Sequence, residues 1–249
     1  MRAVGIIGYK KSGKTSLLLK LARELNARGY TISSLKHVSE NIDLADTDTA
    51  LHKQFTKQTA AISPFESAVF FSESKNVEQM LTFLESDFVL IEGFKKENTY
   101  PKIICLKSDD DLTTLLDGLQ LCVCGIGLDQ NLDVDVPIFN SDRDIIKIAD
   151  IVEQKAFKLP NLNCGGCGYE SCYMMAQEII KGNETVNNCV ALNTDIKIKI
   201  NSQTLPLKPF VANLLKNTII AMLSSLKEYR NGDINIHLET KNTDKIMNK

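Results

Sequence analysis

The stretch that most constrains this chain is the loop at residues 8–15, which reads Gly-Tyr-Lys-Lys-Ser-Gly-Lys-Thr. It follows the apolar run 3–7 and precedes the leucine-rich run 16–22, so it joins a predicted buried strand to a predicted helix. This order of strand, glycine loop and helix is the context in which a Walker A motif binds a nucleoside triphosphate. The sequence therefore predicts a P-loop domain, although the loop does not identify the base or the reaction.

The residues of this loop have distinct predicted roles. Gly8 and Gly13 permit backbone conformations that other residues rarely adopt, so the loop can turn its N–H groups toward a phosphate chain. Lys14 is expected to reach the β- and γ-phosphates, and Thr15 to offer its hydroxyl to Mg²⁺. The predicted nucleotide contacts are Gly8, Lys10, Lys11, Ser12, Gly13, Lys14, Thr15 and Ser16.

A second apolar strand carries a carboxylate at its end. Residues 87–94 read Asp-Phe-Val-Leu-Ile-Glu-Gly-Phe, and four apolar residues that end in an acid are typical of a Walker B strand. We expect Glu92 to lie beside the P-loop and to order Mg²⁺ or a water, which makes it a candidate catalytic residue together with Lys14. The alternative is a core strand with a surface glutamate at its tip.

Strands and helices alternate along the first part of the chain, which predicts an α/β fold with a doubly wound, mostly parallel sheet. Strands are predicted over 2–7, 30–35, 60–71 (broken at Pro64), 102–106, 120–124 and 136–139, and helices over 14–28, 49–58, 76–85 and 143–154. The second strand delivers Lys36 and His37 to the carboxyl edge, where ligands bind in open α/β sheets. The acidic stretch 40–48 that follows is either a solvated loop or a switch segment that faces the phosphates.

The second chemical signal is the cysteine spacing Cys164-x2-Cys167-x4-Cys172-x16-Cys189. Four thiols can hold a [4Fe–4S] cluster or zinc. Zinc sites usually use two short-spaced pairs, whereas Cys189 stands alone, so the spacing favours an Fe–S cluster; plain core cysteines are the remaining alternative. Cys122 and Cys124 share one face of a predicted strand and are expected to be core residues.

The chain divides into three predicted parts. Residues 1–156 form the nucleotide-binding domain, residues 157–192 the four-cysteine Fe–S segment, and residues 193–249 a small α+β region with a polar tail at 240–249. The last part is expected to contain strands over 196–200, 204–207 and 233–238, with a helix over 209–227.

The composition excludes some classes of function. A formal net charge of -2 over 249 residues does not suggest a broad nucleic-acid surface, and no apolar run is long enough to span a membrane. We expect a cytoplasmic protein, because the chain opens directly on a strand with no signal peptide before it. Its seven cysteines would then serve metals more often than disulfides.

The first ~150 residues resemble the MobB family, the molybdopterin-guanine dinucleotide biosynthesis protein B. The residues that carry the resemblance are the loop 8–15, Lys36-His37, Asp43, Asp48-Thr49, the run 87–94 and Pro101-Lys102-Ile103. The resemblance implies weak GTP binding and assistance to a MobA-like partner that attaches GMP to the molybdenum or tungsten cofactor. It assigns phosphate and Mg²⁺ roles to Lys14, Thr15 and Glu92, and Mg²⁺ binding also to Asp48. The chain departs from the family at Ser39-Glu40-Asn41, where further histidines are common.

The segment 164–189 is similar to the four-cysteine domain of corrinoid iron–sulfur proteins and Rnf-type electron carriers. The similarity rests on its sequence motif Cys-Gly-Gly-Cys-Gly-Tyr-x-x-Cys. Three functions are therefore open. The first is a GTP-binding accessory protein of molybdenum or tungsten cofactor maturation, with slow hydrolysis and a cluster. The second is an ATP-dependent redox activator of a corrinoid or metalloenzyme, and the third is a non-catalytic scaffold. A homodimer is compatible with all three.

Overall fold

The computed structural model describes residues 1–44, 46–129, 132–200, 203–205, 207–230 and 232–238, so the predicted tail at 240–249 lies outside the described residues. The strands are β1 (Arg2–Ile7), β2 (Ile32–Lys36), β3 (Gln58–Ile62), β4 (Ser67–Phe71), β5 (Phe88–Glu92), β6 (Lys102–Cys105), β7 (Gln120–Gly125), β8 (Ile138–Asn140), β9 (Ile198–Ile200) and β10 (Gln203–Leu205). The helices are α1 (Lys14–Ala27), α2 (Asp48–Lys53), α3 (Val77–Leu81), α4 (Ile145–Lys155), α5 (Cys172–Lys181) and α6 (Pro209–Ser224). Among these described helices none is long and apolar enough to cross a membrane.

Six strands form one parallel sheet in the order β2-β5-β1-β6-β7-β8. This confirms the predicted α/β class. Strand β5 lies between β2 and β1, and its last residue Glu92 pairs with Lys36 on one side and with Ile6 on the other. Because all strands run the same way, the carboxyl end of β5 lies directly between the end of β2 and the loop that follows β1.

The sheet is covered on both faces, as a doubly wound fold requires. Alternate residues of the strands point to opposite faces. On one face, strand residues such as Val4 and Leu90 pack against α1 and α4 in the largest apolar cluster. On the other face, α3 covers Ala3, Val89 and Ile91. The central stretches of β1 and β5 are buried from both sides, which is why their sequences lack polar alternation.

The strands β3 and β4 pair with each other and form a separate antiparallel sheet. The turn around Pro64 is closed by the Ser63 side-chain oxygen, which accepts hydrogen bonds from the N–H groups of Phe65 at 3.2 Å and Glu66 at 3.0 Å. The helix predicted over 49–58 ends earlier, at Lys53, because residue 58 already pairs with β4.

The four-cysteine segment packs against the α/β unit at the loop before β7. Leu119 is fully buried in the same apolar cluster as Phe157 and Met175 of the segment. The hydroxyl of Tyr173 on α5 donates to the backbone oxygen of Asp117, and the Gln177 side-chain amide donates to the same oxygen at 3.3 Å. The segment is thus held on the sheet by apolar packing and by hydrogen bonds from one face of α5.

The C-terminal part contains the hairpin β9–β10 and the helix α6. The prediction of a strand over 233–238 was wrong, since the described residues 232–238 contain no strand. Alternation makes one side of that segment apolar, but Ile234, Ile236 and Leu238 are exposed. An alternating pattern forms a strand only where a neighbouring strand accepts its backbone hydrogen bonds.

Candidate functional site

The loop after β1 adopts a wrapped conformation that depends on glycine at one position above all. Gly8 has a φ of 155°, and a Cβ atom there would lie 2.3 Å from the backbone oxygen of Cys105 and 2.4 Å from Ser12 Oγ. Gly13, the residue directly before α1, has a left-handed φ of 84°. Lys11 has a φ of 66°, a conformation that costs a non-glycine residue about 1 kcal/mol. The backbone is therefore already shaped into a cradle.

This cradle opens into a cleft of about 490 Å³ at the carboxyl edge of the sheet. The cleft is lined by Lys10, Lys11, Ser12, Gly13, Lys14, Thr15, Ser16 and Glu92. The structure thus brings together the loop residues from 10 to 16 and the acid of the second apolar strand. The buried hydroxyl oxygen of Ser12 has no hydrogen-bond partner within the described residues, so the cradle retains one unsatisfied polar atom of its own.

Glu92 and Thr15 are in direct contact. The Thr15 hydroxyl lies 3.0 Å from each carboxylate oxygen of Glu92. Glu92 is 8% exposed although it ends a strand. It is therefore not a surface residue at a strand tip, which was the alternative that its sequence position left open. A hydroxyl and a carboxylate at this spacing form an all-oxygen ligand pair of the kind that Mg²⁺ prefers.

Lys14 lines this cleft, and Lys36 lies beside it through its contact with Glu92. Lys36 Nζ lies 3.3 Å from Glu92 Oε1, and Lys14 Nζ donates to the backbone oxygen of Tyr9 at 2.6 Å. Partial burial lowers the pKa of Lys14, while the negative charge of Glu92 raises it. To reach a phosphate oxygen as predicted, the Lys14 amine would have to leave the Tyr9 oxygen, and a partly buried ammonium is stabilised where an anion compensates its charge.

The first loop residue after the glycine is anchored from outside the loop. The Tyr9 hydroxyl lies 3.0 Å from Thr114 Oγ1, and Lys95 Nζ lies 3.5 Å from the centre of the Tyr9 ring. Lys95 follows Glu92 closely in the chain, so the connection after β5 also contacts the P-loop. Such a cation–π contact adds positive charge near the predicted phosphate site.

The acidic stretch folds largely upon itself. Asp43 forms an ion pair with Lys53 at 2.8 Å and accepts hydrogen bonds from Thr47 and Thr49. The hydrogen bond from Lys53 is the main reason why the pKa of Asp43 lies below its usual range. Asp48 starts α2 and is not among the residues that line the cleft. Its assignment to Mg²⁺ thus remains a prediction without supporting geometry.

The four cysteines of the segment gather around one apolar cluster. Cys172 and Cys189 are buried in it, and Cys164 and Cys167 pack against it. Burial raises the pKa of Cys189, whereas hydrogen bonds from the backbone N–H groups of residues 191 and 192 lower it. Thiols on an apolar floor with N–H donors to sulfur are the surroundings in which Fe–S clusters are held.

Local structure explains how these cysteines meet. Ser171 caps α5 by accepting a hydrogen bond from the N–H of Met174, so Cys172 is the first helical residue. The Asn163 side-chain oxygen accepts from the N–H of Cys172 at 2.8 Å, which folds the glycine loop back onto the helix start. Within the described ranges, no group of three or more His, Cys, Asp or Glu side chains is arranged to hold a metal ion. The four cysteines therefore remain a predicted ligand set, and their thiol chemistry suits an Fe–S cluster.

Cys122 and Cys124 are fully buried on β7, with their sulfur atoms 3.7 Å apart, so they lie in the core as expected.

Sequence reasoning placed Lys36 at the carboxyl edge but missed its ion pair with Glu92. The ion pair follows from the pairing of β2 with β5, which the order of elements along the chain does not reveal. Sequence reasoning also missed the contacts of α5 with Asp117, for which the sequence contains no recognisable signal.

A parallel sheet with a Walker A loop and an acid-terminated strand beside it defines a protein of the P-loop α/β class. The family model described as "Molybdopterin guanine dinucleotide synthesis protein B" (MobB) matches residues 3–122, and the one described as "Putative Fe-S cluster" matches residues 159–191. A Methanocaldococcus jannaschii protein, "Putative molybdopterin-guanine dinucleotide biosynthesis adapter protein", is 33% identical over 235 residues, which cover 91% of this chain and 92% of that protein. The chain belongs to the MobB family and carries an Fe–S cluster domain after its P-loop domain.

Two further similarities each cover only part of the chain. The crystal structure of Bacillus subtilis MobB has a TM-score of 0.51 and 21% identity, and covers 62% of this chain and 97% of that one, which supports the fold alone. A component of an ion-translocating oxidoreductase complex of Buchnera aphidicola is 36% identical over 64 residues, or 26% of this chain and 35% of that protein. Both are shorter than the similarity to the Methanocaldococcus jannaschii protein, which extends over nearly the whole chain.

Proposed function

We propose that this protein is a GTP-binding accessory protein of molybdenum or tungsten cofactor biosynthesis that assists the formation of molybdopterin guanine dinucleotide. The observation that carries the proposal is the similarity to the Methanocaldococcus jannaschii adapter protein, because it spans 91% of this chain. It therefore includes both the P-loop domain and the cysteine segment, and the combination is not a chance fusion of two unrelated pieces.

The nucleotide part of the proposal rests on the cleft at the sheet edge. Residues 8–16 would hold the triphosphate through backbone N–H groups, the N-terminus of α1 and the amine of Lys14. Thr15 and Glu92 would hold Mg²⁺, which when bound compensates the phosphate charge. Glu92 would also orient the attacking water in slow GTP hydrolysis.

The cluster part rests on the donor set. Cys164, Cys167, Cys172 and Cys189 would bind one [4Fe–4S] cluster, which supplies one-electron chemistry or a structural link. Three thiols within nine residues and a remote fourth, all bordering one apolar cluster, support this proposal. Zinc sites more often use two short-spaced pairs of ligands.

The partners follow from the same proposal. A MobA-like guanylyltransferase is the expected recipient of the adapter, in the cytoplasm, and molybdenum or tungsten enzymes would receive the cofactor. The test is a pull-down with anaerobically purified protein, followed by analysis of bound nucleotide, iron and captured proteins. Capture of such a transferase supports the proposal, whereas ATP as the bound nucleotide with a corrinoid or metalloenzyme as partner would support the redox activator instead.

Replacement of Lys14 by Ala tests the nucleotide assignment directly. The affinity for GTP should fall at least tenfold, or about 1.4 kcal/mol, because the amine that meets the β- and γ-phosphates is lost. Lys20→Ala, further along α1, is the matched control and should bind GTP normally. Glu92→Gln should reduce hydrolysis far more than binding. Unchanged binding of GTP and ATP by Lys14→Ala would reject the assignment, and no hydrolysis by the wild type would favour a scaffold.

A further inference from the structure

One carboxylate in the cleft contacts both an ammonium group and the hydroxyl assigned to Mg²⁺. Lys36 Nζ lies 3.3 Å from Glu92 Oε1 and 3.4 Å from Oε2. Thr15 Oγ1 lies 3.0 Å from both of the same oxygens. The pairing of Lys36 with Glu92 across β2 and β5 places the amine there through the backbone, not through a mobile loop.

Glu92 is a carboxylate with little water around it, since its side chain is 11% exposed. A neighbouring cation or several hydrogen-bond donors stabilise such a group. The amine of Lys14 donates to the Tyr9 oxygen instead, and that of Lys95 lies over the Tyr9 ring. Of these three lysines, Lys36 is the one whose ammonium contacts the Glu92 carboxylate, whereas Lys14 interacts with it through charge without a direct contact.

The Lys36 ammonium can also move away from Glu92. Its side chain is 55% exposed, so the ammonium can withdraw into water at little cost. An ion pair with one well-hydrated partner is easily broken. A divalent cation on the same two oxygens would repel Lys36 and bind the carboxylate more strongly, because it carries twice the charge at a shorter distance.

We propose that Lys36 is the counter-ion of Glu92 in the absence of Mg²⁺, and that it is displaced from this carboxylate when Mg²⁺ binds. This inference rests on the proposed nucleotide binding. Without Mg²⁺, Lys36 screens the triphosphate from the negative charge of Glu92. With Mg²⁺, the metal takes over that screening and Lys36 turns to solvent. The consequence is nucleotide binding that depends less on Mg²⁺ than Glu92 alone would permit.

The experiment compares GTP binding by calorimetry in Mg²⁺ and in EDTA. Lys36→Met keeps the length of the side chain and removes its charge. In EDTA its affinity should fall about tenfold or more, the size expected when a charged hydrogen-bond partner is lost, and in Mg²⁺ it should change less than about threefold. By linkage, the factor by which bound GTP strengthens Mg²⁺ binding should be larger in this variant than in the wild type, by the ratio of the two changes in affinity.

Three controls separate the outcomes. Lys36→Arg keeps the charge and should restore binding in EDTA, while Lys95→Met removes a nearby cation that does not contact Glu92 and should leave the Mg²⁺-to-EDTA ratio unchanged. Thermal unfolding checks that each variant is folded. Equal weakening of Lys36→Met in both buffers, or none in either, would overturn the inference while the proposed function stands. A wild-type protein that binds neither GTP nor ATP with Mg²⁺ would overturn both.

Discussion

The P-loop and the four-cysteine segment are both short glycine-containing loops that lead into a helix, but they are organised in opposite ways. In the P-loop, Gly8 is pressed against the Cys105 backbone and Glu92 already contacts Thr15. In the segment, a Cβ atom added at Gly165 or Gly168 would meet no atom within 4 Å, and one added at Gly166 would meet only side chains, with Val190 Cγ2 at 2.7 Å. The first loop is pressed against the backbone of a neighbouring strand, whereas the second meets only side chains and borders an apolar cluster.

This difference indicates how much each region must become ordered when it binds a ligand. A backbone cradle that the sheet already holds in shape would need little further ordering to bind a ligand, so the fold determines such a site. Ligands that lie on a loop and on a helix start close fully only around the group they bind, so metal binding and folding become one process. The nucleotide site should therefore tolerate loss of the cluster, and the segment should not tolerate it.

The largest expected effect is that of Cys189→Ser. The variant should lose its iron, about four atoms per chain if the cluster is a cubane, because the remote ligand is removed. Its C-terminal part should also unfold at lower temperature, while its GTP affinity stays within about twofold of the wild type. Metal analysis, visible absorption and calorimetry measure these quantities.

Cys122→Ala is the control for this change, since Cys122 is a buried cysteine of the sheet outside the segment and should retain the iron. One stoichiometric zinc in a colourless wild-type protein would contradict the cluster assignment. A large loss of GTP binding in Cys189→Ser would contradict the independence of the two regions.

Gly8→Ala tests the comparison from the other side. A Cβ atom 2.3 Å from a backbone oxygen cannot be accommodated without movement of β6 or of the loop. GTP affinity should fall about a hundredfold, with a loss of about 2–4 kcal/mol in the free energy of unfolding. The iron content should not change. Gly232→Ala, where a Cβ would meet no atom within 4 Å, should behave like the wild type.

The smallest expected effect concerns the contact between the two regions. Tyr173→Phe removes the hydrogen bond to the backbone oxygen of Asp117, which should lower the stability of the docked segment by about 1 kcal/mol. Hydrogen exchange at the Leu119 amide, which donates to the Asp117 carboxylate, should become faster. GTP affinity and iron content should stay unchanged.

Tyr169→Phe is the matched control for this last change, because the Tyr169 hydroxyl donates to Glu184 within the segment. Equal acceleration of exchange at Leu119 in both variants would show that the Tyr173 contact does not hold the two regions together.

Several parts of the fold could be predicted because their signals are local. The apolar runs of β1 and β5 and the glycine loop between β1 and α1 are each read within about eight residues. One or two short strands broken at Pro64 were predicted for the same reason, but the separate antiparallel sheet that β3 and β4 form was not. Pairing partners are set by contacts between distant residues, which a single local pattern does not contain. The failed strand at 233–238 shows the same limit.

The sequence by itself determined which chemical groups this protein carries: a Walker A loop, a carboxylate at a strand end and four thiols at a spacing typical of Fe–S segments, since each depends on residue type and short spacing. Only the tertiary structure decided which of these groups meet. The insertion of β5 between β2 and β1 brings Lys36 to Glu92 and Glu92 to Thr15. The packing of α5 on Asp117 joins the cysteine segment to the sheet. These contacts arise from strand order and the burial of apolar surface, which involve residues far apart in the chain.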